Sequence, residues 1–166
     1  MNDAITFRPL AAEDFAAVTK LARVIWQATY KKIITQAQID HMLAERYSEE
    51  SLRTYLDSPD HWFELALVDG EICGFCACEV YQGEYKLDKL YIHPGRQRLG
   101  IGGMLIARAA ARGREKGYGE MILAVNKRNE QAIAAYRKHG FAVRESVCVD
   151  IGKGFVMDDF VMEKPL

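Results

Sequence analysis

The hydrophobic and polar positions of this chain divide it into helical and extended stretches with clear stops between them. Residues 5–8 form a short strand ended by Pro9. Phe15, Val18, Ala22, Ile25 and Trp26 then recur at helical spacing over residues 11–30, with Glu13 and Asp14 near the start. Thr35 and Gln38 make a capping-box pair ahead of Ile39, Met42 and Leu43. Ser48 caps a further helix through Leu52, Tyr55 and Leu56, which Ser58-Pro59-Asp60 breaks. Residues 61–68 and 71–81 flank Asp69-Gly70 as a β-hairpin. After Gln82-Gly83-Glu84 comes a strand bearing Leu87, Leu90, Tyr91 and Ile92, ended by His93-Pro94-Gly95. The next helix covers residues 104–116, its stripe running through Ile101, Leu105, Ala109 and Gly113, and Gly117 and Gly119 end it. Residues 121–125 are a short buried strand, Asn129 caps a helix over 130–139, and Gly140 stops that helix. Residues 141–149 and 155–164 are the final strands, joined by a loop over 150–154.

This order predicts an α/β chain: a mixed sheet with helices on both faces. A length of 166 residues suits one domain spanning 1–166 with a real core. No repeat, low-complexity tract or linker interrupts it.

The most specific chemistry lies where the strand ending at His93 turns into the long helix. Arg96-Gln97-Arg98-Leu99-Gly100-Ile101-Gly102-Gly103 is a basic, glycine-rich turn. The first turn of a helix carries backbone N–H groups without intrahelical partners and the positive end of the helix dipole. Glycines let an anion approach that backbone, and Arg96 and Arg98 add positive charge, so the junction suits a phosphate or pyrophosphate. A P-loop is excluded, because no Lys-Ser or Lys-Thr follows the glycines. A dinucleotide G-x-G-x-x-G fails at its third glycine, where the chain has Leu105. Gln/Arg-x-x-Gly-x-Gly/Ala is met by Gln97-Arg98-Leu99-Gly100-Ile101-Gly102. In this signature the sequence resembles the GNAT superfamily of acyl-CoA-dependent N-acetyltransferases. A second stretch, Asn129-Glu130-Gln131-Ala132-Ile133-Ala134-Ala135-Tyr136-Arg137-Lys138-His139-Gly140-Phe141, resembles that family's Asn-x-x-Ala-x-x-x-Tyr-x-x-x-Gly-Phe segment. The resemblance is strong over residues 84–141. Patches around Trp26-Gln27-Ala28-Thr29-Tyr30 and Asp158-Asp159-Phe160-Val161-Met162 look like the bacterial spermidine/spermine N-acetyltransferase branch.

The resemblance implies a splayed sheet, with the pantetheine arm of acetyl-CoA entering between the strand over 84–92 and the one after the long helix. It implies pyrophosphate binding by Arg96, Gln97, Arg98, Leu99, Gly100, Ile101, Gly102 and Gly103. It further implies backbone contacts at Leu90, Tyr91 and Ile92, and a cofactor contact from Asn129, which can also cap its helix. Moving an acetyl group to an amine requires three things. The amine must lose a proton, which for an amine of pKa ~10.4 costs roughly 4–5 kcal/mol at pH 7. The thioester oxygen needs a hydrogen-bond donor, expected here from a backbone N–H near Leu90 to Ile92. The departing thiolate needs a proton. Tyr136, seven residues after Asn129, matches the family's tyrosine near the cofactor sulfur and is the expected acid. Asp88 is the first choice of base, with Glu84 on the same face if the pleat is regular. Asp88 also has Lys86 and Lys89 as competing partners. Trp26, Tyr30 and Asp88 are expected to wall the acceptor site. His93 and His139 sit beside element ends and suit structural roles.

Charge and cysteine content refine this. Net charge is −1, but residues 86–145 carry 13 Lys/Arg against 5 Asp/Glu, while residues 1–85 carry 7 against 14. The basic part holds both cofactor motifs, which suits a polyphosphorylated ligand, and the acidic part suits a cationic amine. Of the four cysteines, Cys73 is expected to face away from Cys76 and Cys78 on a regular strand, so reduced buried thiols are expected and no metal site. No apolar run approaches the ~20 residues of a membrane span, and residues 1–10 carry no secretory pattern, so a cytoplasmic protein is expected. The expectation is an acetyl-CoA-dependent N-acetyltransferase using direct transfer in a ternary complex, with no nucleic-acid or membrane partner. Its acceptor is a small-molecule or peptide amine, a polyamine-like cation foremost. The alternatives are a protein N-terminal or ribosomal-protein acetyltransferase, or a non-catalytic acyl-CoA sensor. A homodimer is the assembly common in the family.

Overall fold

The computed structural model describes residues 4–166; residues 1–3, the first part of the stretch read for a leader, lie outside it. The strands are β1 (Ile5–Pro9), β2 (His61–Val68), β3 (Glu71–Tyr81), β4 (Glu84–Ile92), β5 (Glu120–Asn126), β6 (Ala142–Gly152) and β7 (Phe155–Pro165). The helices are α1 (Phe15–Tyr30), α2 (Gln36–Arg46), α3 (Glu49–Asp57), α4 (Ile101–Glu115) and α5 (Glu130–Lys138). One sheet takes the order β1-β2-β3-β4-β5-β7-β6. All pairings are antiparallel except β4 with β5.

Two cores flank the sheet. Val18, Ile25, Trp26, Ile39, Leu43 and Leu52 of α1, α2 and α3 pack with Phe63 and Phe75 on one side. Ile101, Leu105 and Ala109 of α4 pack with Leu87, Met121 and Leu123 on the other. The predicted α/β mixed sheet with helices on both faces is therefore present. Local chemistry fixes most boundaries. Ser48 Oγ accepts from Ser51 N at 3.1 Å and caps α3. The turns Asp69-Gly70, Gln82-Gly83 and Lys153-Gly154 have positive φ at both positions, the conformation that matches strand twist in tight hairpins. The loop expected over 150–154 is such a turn, with β6 running on to Gly152. The capping box at Thr35 is only half formed. Thr35 Oγ1 accepts from Gln38 N at 3.2 Å, but the Gln38 side chain donates to the Val156 carbonyl at 2.9 Å instead. With His41 Nε2 on the Ile151 carbonyl at 2.8 Å, that bond docks the tip of the β6–β7 hairpin onto α2.

Two bulges reverse the expected side-chain alternation. Ala66 pairs with Gly74 and Leu67 with Ile72, leaving Cys73 as the extra residue. Cys73 consequently joins Cys76 and Cys78 in the α4-side core, and the expectation that it faces away from them fails. All three are buried free thiols. On β4, Ala77 pairs with Lys89 and Cys78 with Leu87, leaving Asp88 as the extra residue. Tyr85 and Leu87 face α4, while Lys89 turns to Tyr47 and Tyr55 on the opposite side together with Asp88.

Gly113 marks where α4 comes closest to the sheet. A Cβ there would lie 2.6 Å from the Tyr85 ring and 2.7 Å from Leu166, and Tyr85 Oη already donates to the Ala109 carbonyl at 2.6 Å. Gly113→Ala is expected to destabilise the protein by about 1–3 kcal/mol through overpacking. Urea unfolding checks this; a variant as stable as the parent would show that α4 is loosely seated.

Candidate active site

β4 and β5 share one registered pair, Lys86 with Ile122, and diverge beyond it. Backbone groups along the rest of the two facing edges thereby lose their ladder partners. His93 N donates to Cys73 O at 2.7 Å, and alternation along β4 then directs the N–H groups of Leu90 and Ile92 towards the gap.

Two cavities open on this gap. One, of 470 Å³, takes Leu90, Tyr91 and Ile92 on one side and Asn129, Ala132 and Tyr136 on the other. Arg96, Gln97, Arg98, Gly100, Ile101 and Gly102 complete it. The second, of 480 Å³, lies beneath α1, α2 and the β6–β7 hairpin. Trp26, Tyr30, Arg46, Glu84, Lys86 and Asp159 line it. Tyr30, Asp88, Tyr91, Leu123 and Ala124 line both, so the cavities meet where the strands part.

The first cavity has the features of an anion cradle. The first helical bond of α4 is Met104 N to Gly100 O at 3.1 Å, which leaves the N–H groups of Ile101, Gly102 and Gly103 without intrahelical acceptors. Gly100 has φ +80°, a conformation glycine adopts without strain. A Cβ on Gly102 would enter open space, so this glycine answers to no neighbour within the chain. Arg96, Arg98 and Lys138 give the cavity positive charge. Gly103 and Leu99 stand apart from the other residues of the motif. Gly103 faces His139, whose ring would lie 2.8 Å from an added Cβ, so its lack of a side chain serves helix packing. The Leu99 side chain is exposed. Asn129 Oδ1 caps α5 by accepting from Ala132 N at 3.3 Å, and its side chain also reaches the cavity. Tyr136 packs edge-on against Phe141; a phenol is protonated at neutral pH, and burial pushes its pKa further up. His93 Nδ1 accepts from Gly95 N at 2.9 Å, a turn-closing role.

The second cavity has an aromatic wall. Trp26 lies 4.5 Å from Tyr30 and 5.7 Å from Tyr91 between ring centroids, and the Tyr30 and Tyr91 hydroxyls are 3.3 Å apart. Trp26 itself is buried in the α1-side core, so it supports the wall rather than presenting a free face. Glu84 stands at the rim, 2.7 Å from Arg144. Asp88 is committed elsewhere. Its Oδ2 accepts from Tyr55 Oη and Lys89 Nζ, each at 2.8 Å, with Arg46 at 3.6 Å, and Lys86 lies 3.9 Å from Oδ1. Burial pushes its pKa up, but Arg46, Lys89 and Lys86 outweigh this and hold the carboxyl far below the usual range. A carboxylate so stabilised takes a proton poorly, which speaks against Asp88 as the base. Burial in turn lowers the Lys89 pKa to about 8.

Sequence reasoning did not single out Arg46 or Asp159. Arg46 also donates to the Asp88 carbonyl at 3.0 Å, across 42 residues of chain, which no local pattern signals.

The Acetyltransferase (GNAT) family matches over residues 20–141. The chain belongs to this family. It is thus an acetyltransferase, with acetyl-CoA as its acyl donor. A spermidine N(1)-acetyltransferase of Thermoplasma acidophilum is 29% identical over 164 residues, 96% of each chain. The crystal structure of the PaiA N-acetyltransferase from Thermoplasma acidophilum in complex with coenzyme A superimposes with a TM-score of 0.85 at 29% identity. That alignment covers 98% of this chain and 99% of the other. A streptothricin acetyltransferase of Streptomyces lavendulae is 34% identical over 88 residues, 52% of this chain and 47% of its own.

The Asp88 cluster makes a sharp demand on stability. Asp88→Asn leaves the buried Lys89 and the half-buried Arg46 without their counter-ion, and should cost about 3–5 kcal/mol in urea unfolding at pH 7. Because the folded-state pKa is depressed, the stabilisation is complete at neutral pH. In the parent it should decline only as pH falls below about 4, the ordinary carboxylate range. A loss under 1 kcal/mol on the ~3–5 kcal/mol scale of a broken buried pair would refute the cluster's structural role.

Proposed function

We propose that the protein transfers the acetyl group of acetyl-CoA directly to a primary amine, and that the acceptor is a small cationic amine of the polyamine kind. The junction of two cavities across the β4–β5 gap carries this reading. A thioester entering from one cavity and an amine entering from the other can meet there without a covalent enzyme relay. Gly100, Ile101 and Gly102, with Arg98, hold the pyrophosphate against the start of α4. Leu90 and Ile92 present backbone N–H groups to the pantetheine arm and to the thioester oxygen as negative charge builds on it. Tyr136, a phenol protonated at neutral pH, lines this cavity and donates to the departing sulfur. Asn129 lies beside it in the same cavity.

The acceptor class draws on two supports. Glu84, Glu145 and Asp159 line the second cavity together with Arg46, Lys86 and Arg144, and of these carboxylates Asp159 is the one with a buried oxygen left unpaired; a relative aligned along nearly its whole length is named for spermidine. Glu84 stands at the rim in an ion pair with Arg144, while Asp88 keeps β4 in its bulged conformation. Trp26 backs the aromatic wall, and Tyr30 and Tyr91 form the passage between the cavities.

Thiol release from acetyl-CoA, measured against spermidine, spermine, lysine, aminoglycosides and peptides with free N-termini, tests the reading. Saturable turnover with polyamines is expected; turnover confined to peptides would replace the acceptor class. Gly102→Leu should weaken coenzyme A binding at least tenfold in calorimetry, because its side chain enters the anion's space. Folding stability should stay within about 1 kcal/mol, since Gly102 packs against nothing. Unchanged binding would remove the start of α4 from the cofactor site. Tyr136→Phe should lower turnover about 100-fold with coenzyme A affinity retained. Full activity in that variant would assign the proton donor elsewhere.

A further inference from the structure

The acceptor cavity holds a carboxylate that is not tied down as Asp88 is. Asp159 lies on β7, opposite Asn126 at the end of β5 and Val147 on β6. It is 7% exposed and lines the cavity. Its Oδ1 is buried without any hydrogen-bond partner. An unpaired buried carboxylate oxygen is costly, and a ligand that brings the missing donor relieves that cost. An ammonium carries N–H donors and a full positive charge, and so answers both needs. The charged and titratable groups around Asp159 are Tyr30 on α1, Arg46 on α2, Lys86 on β4, Lys127 after β5, and Asp158 on its own strand. Among the described residues, none of the cations comes within ion-pair distance. Asp159 shares the acceptor cavity with Tyr30 and Asp88, which also line the cofactor cavity, so the carboxylate faces the same space that leads to the meeting point of amine and thioester.

We infer that Asp159 receives the acceptor's ammonium group and takes its proton before attack. The inference rests on the acceptor-cavity reading above. One ammonium N–H bond breaks, its electron pair stays on nitrogen, and the proton moves to Asp159 Oδ1. The amine nitrogen then bonds to the thioester carbon, and the C–S bond breaks with its pair going to sulfur. Sulfur takes its proton from Tyr136, and the second proton shed by nitrogen restores the Tyr136 hydroxyl. Asp159 passes its own proton to water, so each turnover releases one proton overall. Burial raises the Asp159 pKa to about 6, with Lys86 opposing and Asp158 reinforcing. The group is then mostly ionised at pH 7 yet more basic than an ordinary carboxylate.

The test uses the full chain, acetyl-CoA and spermidine as the probe amine. Wild-type kcat/KM should rise through an apparent pKa near 6, the ionised carboxylate being the active form, and then level off. Asp159→Asn should lower kcat/KM at pH 7 by about 10²–10⁴-fold. Its residual rate should keep rising about tenfold per pH unit as free amine accumulates. Coenzyme A affinity, measured by calorimetry, should not change. A variant whose profile parallels wild type overturns the inference, as does one that raises KM for spermidine with kcat intact, the signature of a mere cation site. Carbon-13 titration of the side-chain carboxyl decides the matter without turnover. A midpoint near 6 that falls when spermidine is added supports the role, and titration in the ordinary carboxylate range overturns it. If wild type binds coenzyme A but acetylates no amine, the acceptor reading fails while this titration still judges Asp159.

Discussion

The structure depends on two parallel strands that pair once and then part. β4 is secured to β3 along its length and β5 to β7 along its length, so the sheet remains whole while β4 and β5 share the single registered pair Lys86 and Ile122. Backbone hydrogen-bonding groups released in this way have to be satisfied by something other than the ladder. In most sheets such a break would be a defect. Here it adjoins the start of α4, where three more N–H groups lack intrahelical acceptors. The fold thus concentrates unsatisfied donors around a gap wide enough to join two cavities, and this is what the family's acyl donor can exploit.

Charge is handled in two opposite ways within the same gap. The Asp88 carboxylate is surrounded by Arg46, Lys89, Tyr55 and Lys86, and the β4 bulge lets Asp88 and its neighbour Lys89 face the same side. Such a group gives structure and little reactivity, because its charge is already compensated. Asp159 is buried with one oxygen left without a partner, and its pKa moves the other way, to about 6. The contrast follows from neighbours alone, since both residues are aspartates on interior strands. Folds tend to hold such uncompensated groups at functional sites, at a cost in stability that the remainder of the core offsets.

Much of this arrangement could be read along the chain. The Ser48 and Asn129 caps, the Asp69-Gly70 and Gln82-Gly83 turns, the stripe of α4 and the glycine-rich approach to it each depend on residues within about two turns or one hairpin of one another. The misreadings have different causes. Cys73 was expected to face away from Cys76 on the assumption of a regular pleat, whereas Asp88 faces the same cavity as Glu84, as expected, and loses basicity to Arg46, Lys89 and Lys86. Bulges at Cys73 and Asp88 reset the side-chain alternation, and a bulge is negotiated with the partner strand rather than written in one strand's composition. Gln38, half of a plausible capping box, instead crosses 118 residues to the Val156 carbonyl.

The sequence by itself determined the elements, many of their ends and the anion-facing turn at Gly100, because backbone conformation responds to near neighbours. Only the tertiary structure decided which carboxylate is compensated and which is left open. Arg46 reaches Asp88 on β4 from helix α2, while Asp159 meets the cavity from the last strand, and electrostatic energy depends on distance through space and on burial, neither of which chain spacing encodes.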